Sequence, residues 1–178
     1  MRLEGKRICI LVEEGFEDLE FWVPLMRMEE EGARVTVVGP KSGRVVHSKS
    51  GGLTASVDCE AAEVTAEEFD AIIIPGGWAP DKLRRSEAVT ALVRAMHDQG
   101  KLVAMICHAG LVGISAGIVA GHRATGSLGI RDDLVNAGAT WVDLPAFRDG
   151  LLVWGRVVPD IPDFCRELVA ALEATPSC

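Results

Sequence analysis

The chain has no tyrosine, and aromatic residues fill only 5% of its 178 positions. No phenol is therefore available as a donor in any site. The four tryptophans, Trp22, Trp78, Trp141 and Trp154, are too scattered to form a base-stacking platform. Positive charge is also short: 18 Lys and Arg stand against 26 Asp and Glu, a formal net charge of −8. Basic pairs such as Arg84-Arg85 do not amount to a phosphate-binding stripe, which argues against a nucleic-acid partner. No apolar run approaches the roughly 20 residues of a bilayer span, so no membrane partner is expected. The opening MRLEGKRICILVEEG carries positive charges, but its apolar run is short and soon turns acidic, unlike a signal peptide. The cytosol is the expected location.

Other absences narrow the chemistry. Five cysteines, at 9, 59, 107, 165 and 178, form an odd set with no CxxC spacing. That fits neither a disulfide framework nor a zinc site, so no metal and no cofactor are expected. No GxGxxG or GxxxxGK[ST] loop follows a strand, which leaves nucleotide binding without support. No histidine follows His122, which weighs against an amidotransferase-type triad completed far downstream.

What is present reads as one domain over residues 1–178, long enough to bury a sizeable core. Apolar runs alternate with amphipathic ones. Strands are expected at 7–12, 33–38, 69–74 and 102–106, and a hairpin around Ser50-Gly51-Gly52. Helices are expected at 17–31, kinked by Pro24 and ended by Gly32, and at 86–99 with a Ser86 cap. Further helices fall at about 108–120 and 160–174, with another element at 130–137 between them and a frayed tail beyond 174. This β-α-β alternation predicts an α/β fold: a mostly parallel, doubly wound sheet with helices on both faces.

Ligands in such folds sit beyond the carboxyl ends of the strands. Three stretches fall there: Glu13-Glu14-Gly15-Phe16-Glu17, Pro75-Gly76-Gly77 and Cys107-His108. Cys107 occupies a strand-to-helix corner, where the backbone N–H groups of the next turn favour a thiolate and lower its pKa. The bland alternative is a core cysteine that ends a buried strand. His108 serves as acid and base, or simply starts a helix; adjacent turn residues diverge, so spacing does not decide. Gly76 and Gly77 let backbone approach a ligand, and the Gly77 and His108 N–H groups suit a developing oxyanion. Ala109 keeps the corner uncrowded, and Trp78 can wall a pocket. Glu17 is either an ordinary helix-start carboxylate or, facing Cys107 in a dry pocket, an acid of raised pKa that donates to the thiolate. Asp18, Glu20 and Glu29-Glu30-Glu31 read as solvated faces. Cys9 and Cys165 fit the core, Cys59 and Cys178 the periphery. His47, His97 and His122 carry less weight.

Five stretches together carry a resemblance: Gly15-Phe-Glu-Asp-Leu-Glu20, Glu68-Phe-Asp-Ala-Ile-Ile-Ile-Pro-Gly-Gly77, Ala104-Met-Ile-Cys-His108, Ile114-Ser-Ala-Gly117 and the segment 129–143. The chain resembles the PfpI-type intracellular cysteine peptidases and amidases of the DJ/PfpI superfamily, in register from about residue 6 to 172. The resemblance implies a flavodoxin-like three-layer sandwich with a nucleophile elbow at Cys107. It also implies a catalytic His108 and a pocket glutamate at Glu17. Asp81 matches an acid that reaches the histidine of a neighbouring subunit, so a homodimer or a trimer of dimers is implied. The activities implied are peptidase, amidase or deglycase action on a peptide or small carbonyl substrate, with stress protection. Two departures stand out: Cys-His-Ala-Gly replaces the usual Cys-His-Gly-Pro, and Ser127-Leu-Gly-Ile130 replaces Tyr-Pro-Gly-Ile. Ser127 thus puts a hydroxymethyl where a pocket phenol is usual, leaving a roomier site with one donor fewer. Two functions follow: a cysteine hydrolase, or a redox-responsive stress protein whose Cys107 is oxidised without turnover.

Overall fold

Four consecutive apolar side chains can be buried only if both faces of a strand are covered, and Ala71-Ile-Ile-Ile74 is buried at every position. The computed structural model describes residues 1–175 and shows how that cover is built. Strand β1 (Arg7–Leu11) leads into helix α1 (Asp18–Glu30) and strand β2 (Arg34–Gly39). A hairpin of β3 (Val45–His47) and β4 (Thr54–Ser56) follows, then the short edge strand β5 (Cys59–Glu60). Next come β6 (Ala71–Ile74), α2 (Ala79–Leu83), α3 (Glu87–Asp98), β7 (Leu102–Ile106) and α4 (Gly110–Ser115). The rest comprises β8 (Arg123–Ala124), α5 (Arg131–Asn136), β9 (Thr140–Trp141), β10 (Ala146–Asp149), β11 (Leu152–Gly155) and α6 (Ile161–Glu173).

The main sheet has seven strands in the order β10-β11-β7-β6-β1-β2-β5. All pairings are parallel except β10 with β11. Ile8 pairs with both Val35 and Ala71, and Ile73 pairs with Ala104, so the strands stack apolar residue against apolar residue. Helices α1 and α6 pack together, with α6 against β7, β10 and β11; α3 packs on β6 and β7, beside α4. The result is the flavodoxin-like three-layer sandwich, with Ile72, Ile73, Ile74, Met105 and Trp154 fully buried. Each such aliphatic side chain contributes about 1.5–3 kcal/mol of transfer free energy. The chain leaves β1 toward β2 on one side and later crosses to β6 on the other. The switch point therefore lies between β1 and β6, where a crevice opens beyond the strand ends.

One expectation needs correction, and one hairpin was not anticipated. The helix expected at 108–120 is a 3-10 turn, Cys107–Ala109, followed by the six-residue α4. Gly117, at φ +72°, ends it: its N–H reaches Ile114 O and the Ile118 N–H reaches Gly113 O, the paired bonds of a Schellman cap. The β10–β11 hairpin goes unread in the periodicity, although Asp149-Gly150 is a turn signal and Gly150 sits at φ +62°. Helix α1 continues through Pro24 to Glu30. The expected frayed tail and peripheral Cys178 fall on 176–178, outside the described residues; Ala174 and Thr175 still bond back to α6. Among the described residues no helix is long and apolar enough to cross a membrane.

Candidate active site

Cys107 follows the last residue of β7 and is the one non-glycine described residue with positive φ, at 60°. A cysteine gains nothing intrinsic from that left-handed conformation, so the fold imposes it, and the side chain is turned out of the sheet at the corner. The sulfur lies on a cleft of about 560 Å3 at the switch point, lined by Glu17, Glu20, Lys49, Gly77, Trp78 and His108 among others. The Gly77 and His108 N–H groups point at the sulfur.

The carboxyl group at the sulfur belongs to Glu20, not Glu17. Glu20 is completely buried, where the sequence suggested a solvated face. Its Oε2 accepts the Gly76 N–H at 2.8 Å. Oε1 is buried with no conventional partner, and the Cys107 thiol is the group placed to share a proton with this carboxyl. Glu17 caps α1 instead, its Oε2 accepting the N–H of Leu19 at 2.8 Å and of Glu20 at 2.9 Å. The helix explains the exchange. Buried Phe21, Pro24, Leu25 and Met28 mark the inner face of α1, and Glu20 shares it. That spacing was the available signal, masked by the acidic residues around it.

Gly76 is wedged between the two groups. A Cβ there would collide with Glu20 Oε2 and sit 2.8 Å from Cys107 Cβ. Gly77, at φ +78°, packs so closely on the β1 loop that a Cβ would lie 2.5 Å from Gly15 O.

The expectation of a thiol lowered by helix dipoles is overturned: the shift runs the other way. Burial and the facing Glu20 carboxylate push the Cys107 thiol up to about 12, against the pull of the His108 and Gly77 N–H groups. Burial, with the Glu17 charge, pushes Glu20 up to about 7. The two groups therefore titrate as a pair that gives up its first proton near neutrality. When that proton comes from sulfur, Glu20 stays neutral, its repulsion of the thiolate vanishes, and its O–H becomes a donor to sulfur. The ionisation of Cys107 is thus coupled to Glu20 as well as to the backbone N–H groups.

His108 does reach the thiol: Nδ1 lies 3.3 Å from Sγ. Burial, and then the nearby Lys49 ammonium, lower its pKa, so its ring is neutral and able to take a proton near pH 7. Lys49, on the hairpin arm and missed in the sequence, faces both Glu20 and His108. Val157, Val158 and Pro159 form a further wall, missed because β11 went unread. Trp78 lines the cleft but stays 61% exposed. Asp81 stands at the rim, paired with Arg85 one helical turn on. Ala109 is fully buried under the corner and is no part of the wall. Ser127 lies behind the site: its N–H binds Cys107 O at 3.1 Å, and it caps the turn that brings Gly129 toward His108. Cys9 and Cys165 are buried, with thiols pushed up by burial, and Cys59 is partly exposed.

A mostly parallel sandwich with a cysteine elbow, a histidine on the sulfur and a buried glutamic acid beside it defines a class of cysteine-centred α/β proteins. The DJ-1/PfpI family model matches residues 6–171, and the chain belongs to that family. It is 42% identical to a deglycase of Pyrococcus abyssi, over 94% of this chain and 99% of that one. It is 37% identical to general stress protein 18 of Bacillus subtilis, over 95% and 99%. A two-domain protein of Anabaena variabilis, containing DJ-1/ThiJ/PfpI-like and ferritin-like domains, superposes with a TM-score of 0.93 at 36% identity. That match covers 97% of this chain and half of the two-domain one.

Proposed function

We propose that this protein is a cysteine-dependent hydrolase of the deglycase type, acting in the cytoplasm on carbonyl adducts of amines. The observation that carries the reading is the forced φ of 60° at Cys107, which sets its sulfur in a cleft between a buried acid and the His108 ring. The C–N bond at the carbinol carbon of the adduct breaks while neutral His108 takes the carbinol O–H proton and passes it to the departing amine, which frees the aldehyde. The sulfur then adds to the aldehyde carbon, the carbonyl electron pair moves to oxygen, and the Gly77 and His108 N–H groups suit that oxyanion. Glu20 holds the proton displaced from sulfur and returns it to that oxygen, and His108 moves the hydrogen of the former aldehyde carbon to the adjacent ketone carbon, leaving a hydroxyacyl thioester. Water cleaves the thioester to the hydroxy acid and the thiol, so the net reaction is hydrolysis with an internal hydrogen shift and no external oxidant. The deglycase name of the Pyrococcus relative favours this substrate class over peptides. The pocket lacks a phenol and suits a small carbonyl compound held by Trp78, Leu111 and Val158.

The stress-protein name of the Bacillus relative favours a second reading, oxidation of Cys107 without turnover. One experiment separates the two. Methylglyoxal adducts of N-acetyl-arginine are incubated with wild type and Cys107→Ser, and amine release is followed. Loss of release on the order of 1,000-fold in the variant supports the hydrolase. Retention of full activity by Cys107→Ser would sink it. No release by wild type, with peroxide oxidising Cys107 selectively among the five cysteines, would install the second reading.

The assembly belongs to the same proposal. Leu19, Val23 and Met26 leave one side of α1 apolar and exposed by 39–58%, at spacings that share a helix face. A second copy covers that face, and Asp81 at the rim then reaches the partner's site.

A further inference from the structure

We infer that Glu17 is a positioning residue whose carboxylate, pinned at the start of α1, keeps the shared proton of the Glu20–Cys107 pair on Glu20 and so leaves the negative charge on sulfur. The inference rests on the reading of Cys107 as the nucleophile. Glu17 touches neither the sulfur nor the reacting carbonyl. It is fixed by two N–H groups of the first helical turn, those of Leu19 and Glu20. Glu20 lies three residues on, within one turn, and its carboxyl is fully buried. Two carboxylates so close in a poorly solvated cleft do not both ionise easily. Burial, and then the charge of Glu17, hold the proton on the buried Glu20.

The remaining groups around Glu20 act in known directions. Lys49, from the β3–β4 arm, draws the Glu20 proton off; Glu17 opposes it. The Gly76 N–H also favours the carboxylate, and the Cys107 thiol competes for the proton. His108 stands against the sulfur, 3.3 Å away. Glu17 adjoins Glu20 directly, whereas the rise at the thiol traces to burial and Glu20. The charge of Glu17 therefore raises the proton affinity of the carboxyl more than that of the thiol, and the monoanionic pair tilts toward thiolate.

The test is the pH profile of iodoacetamide alkylation at Cys107, read by peptide mass spectrometry in wild type, Glu17→Gln and Glu17→Asp. Glutamine keeps an oxygen to cap α1 and removes the charge; aspartate keeps both. In Glu17→Gln the first rise moves to lower pH, because the pair loses its proton more readily. Its plateau rate drops about threefold or more, half a pKa unit in the tautomer balance. Glu17→Asp restores both within about twofold. A cap that matters only for folding lowers Tm without moving the first rise. An unmoved first rise in a two-step wild-type background would overturn the role of Glu17 alone. A wild-type thiol that titrates in one step like a free cysteine would overturn the pair, and with it the nucleophile reading and this inference together.

Discussion

Glu20 and Cys107 share a site in which each determines the ionisation of the other, and this is where most of the chemistry is decided. Burial alone raises both groups, since each charged form loses solvation. Their coupling separates the two losses: one near neutrality, the other delayed by the charge already present. Wild-type Cys107 should accordingly alkylate in two steps, a first rise near pH 7 and a second toward pH 12. Glu20→Gln removes the carboxylate and the O–H donor together, so the profile collapses to one step between those limits. Deglycase turnover falls on the order of 100-fold, the scale of losing one positioned proton carrier. A two-step profile surviving in Glu20→Gln would show that another group, with His108 the nearest, shares the thiol proton. The sign for stability also follows. Glu20 has a folded pKa above its unfolded value, so its neutral form adds stability that is full below about pH 4.5 and lost as pH rises through about 7.

At the scale of elements, the site is made by loops that rigid strands hold in place. The β6–α2 loop supplies Gly76 to Glu20, Gly77 to the sulfur, and Trp78 to the cleft wall. Gly76→Ala is the sharpest probe of that loop, because the new Cβ meets Glu20 Oε2, Cys107 Cβ and His108 N at once. It should cost about 2–3 kcal/mol in stability, the range for overpacking a tight core contact. Activity should be lost even where the variant folds; chemical denaturation beside the turnover assay checks both, and a wild-type Cm with wild-type turnover would contradict the wedge. The four central strands and the Ser86-capped helix were legible because their apolar runs and cap residues act locally. Cys107 was legible for the same reason, as a reactive type at a strand end. Glu20 was not, because the residue that meets the thiol is chosen by the rotation of α1 over the sheet, and a run reading Glu-Asp-Leu-Glu offers two glutamates for one place. The short α4 and the β10–β11 hairpin were missed because glycines at 117 and 150 redirect the chain with almost no periodic signal.

For the whole molecule, the question is whether one chain completes the site. Within one chain, Asp81 is a rim residue whose side chain is 60% exposed and, among the described residues, pairs only with Arg85 just past the end of α2, at a surface where such a pair is worth little. His108 has Nδ1 on the sulfur, and among the described residues none bonds the opposite ring nitrogen, which lies toward Gly129. An acid from a second copy fits that need: a carboxylate on Nε2 fixes the tautomer and supports the imidazolium that forms when the ring takes a proton. In the proposed assembly the exposed apolar side of α1 is the surface that a second copy covers. Mixing tests the shared site directly. Asp81→Asn and Cys107→Ser should each be inactive alone as homo-oligomers. After denaturation and joint refolding, half of randomly paired dimers are hybrids, and each hybrid holds one intact site built from Cys107 of one chain and Asp81 of the other. Recovered activity should therefore approach roughly a quarter of wild type for isologous dimers. Asp81 acting within its own chain predicts no recovery at all, because every site in every hybrid would still lack either its acid or its thiol.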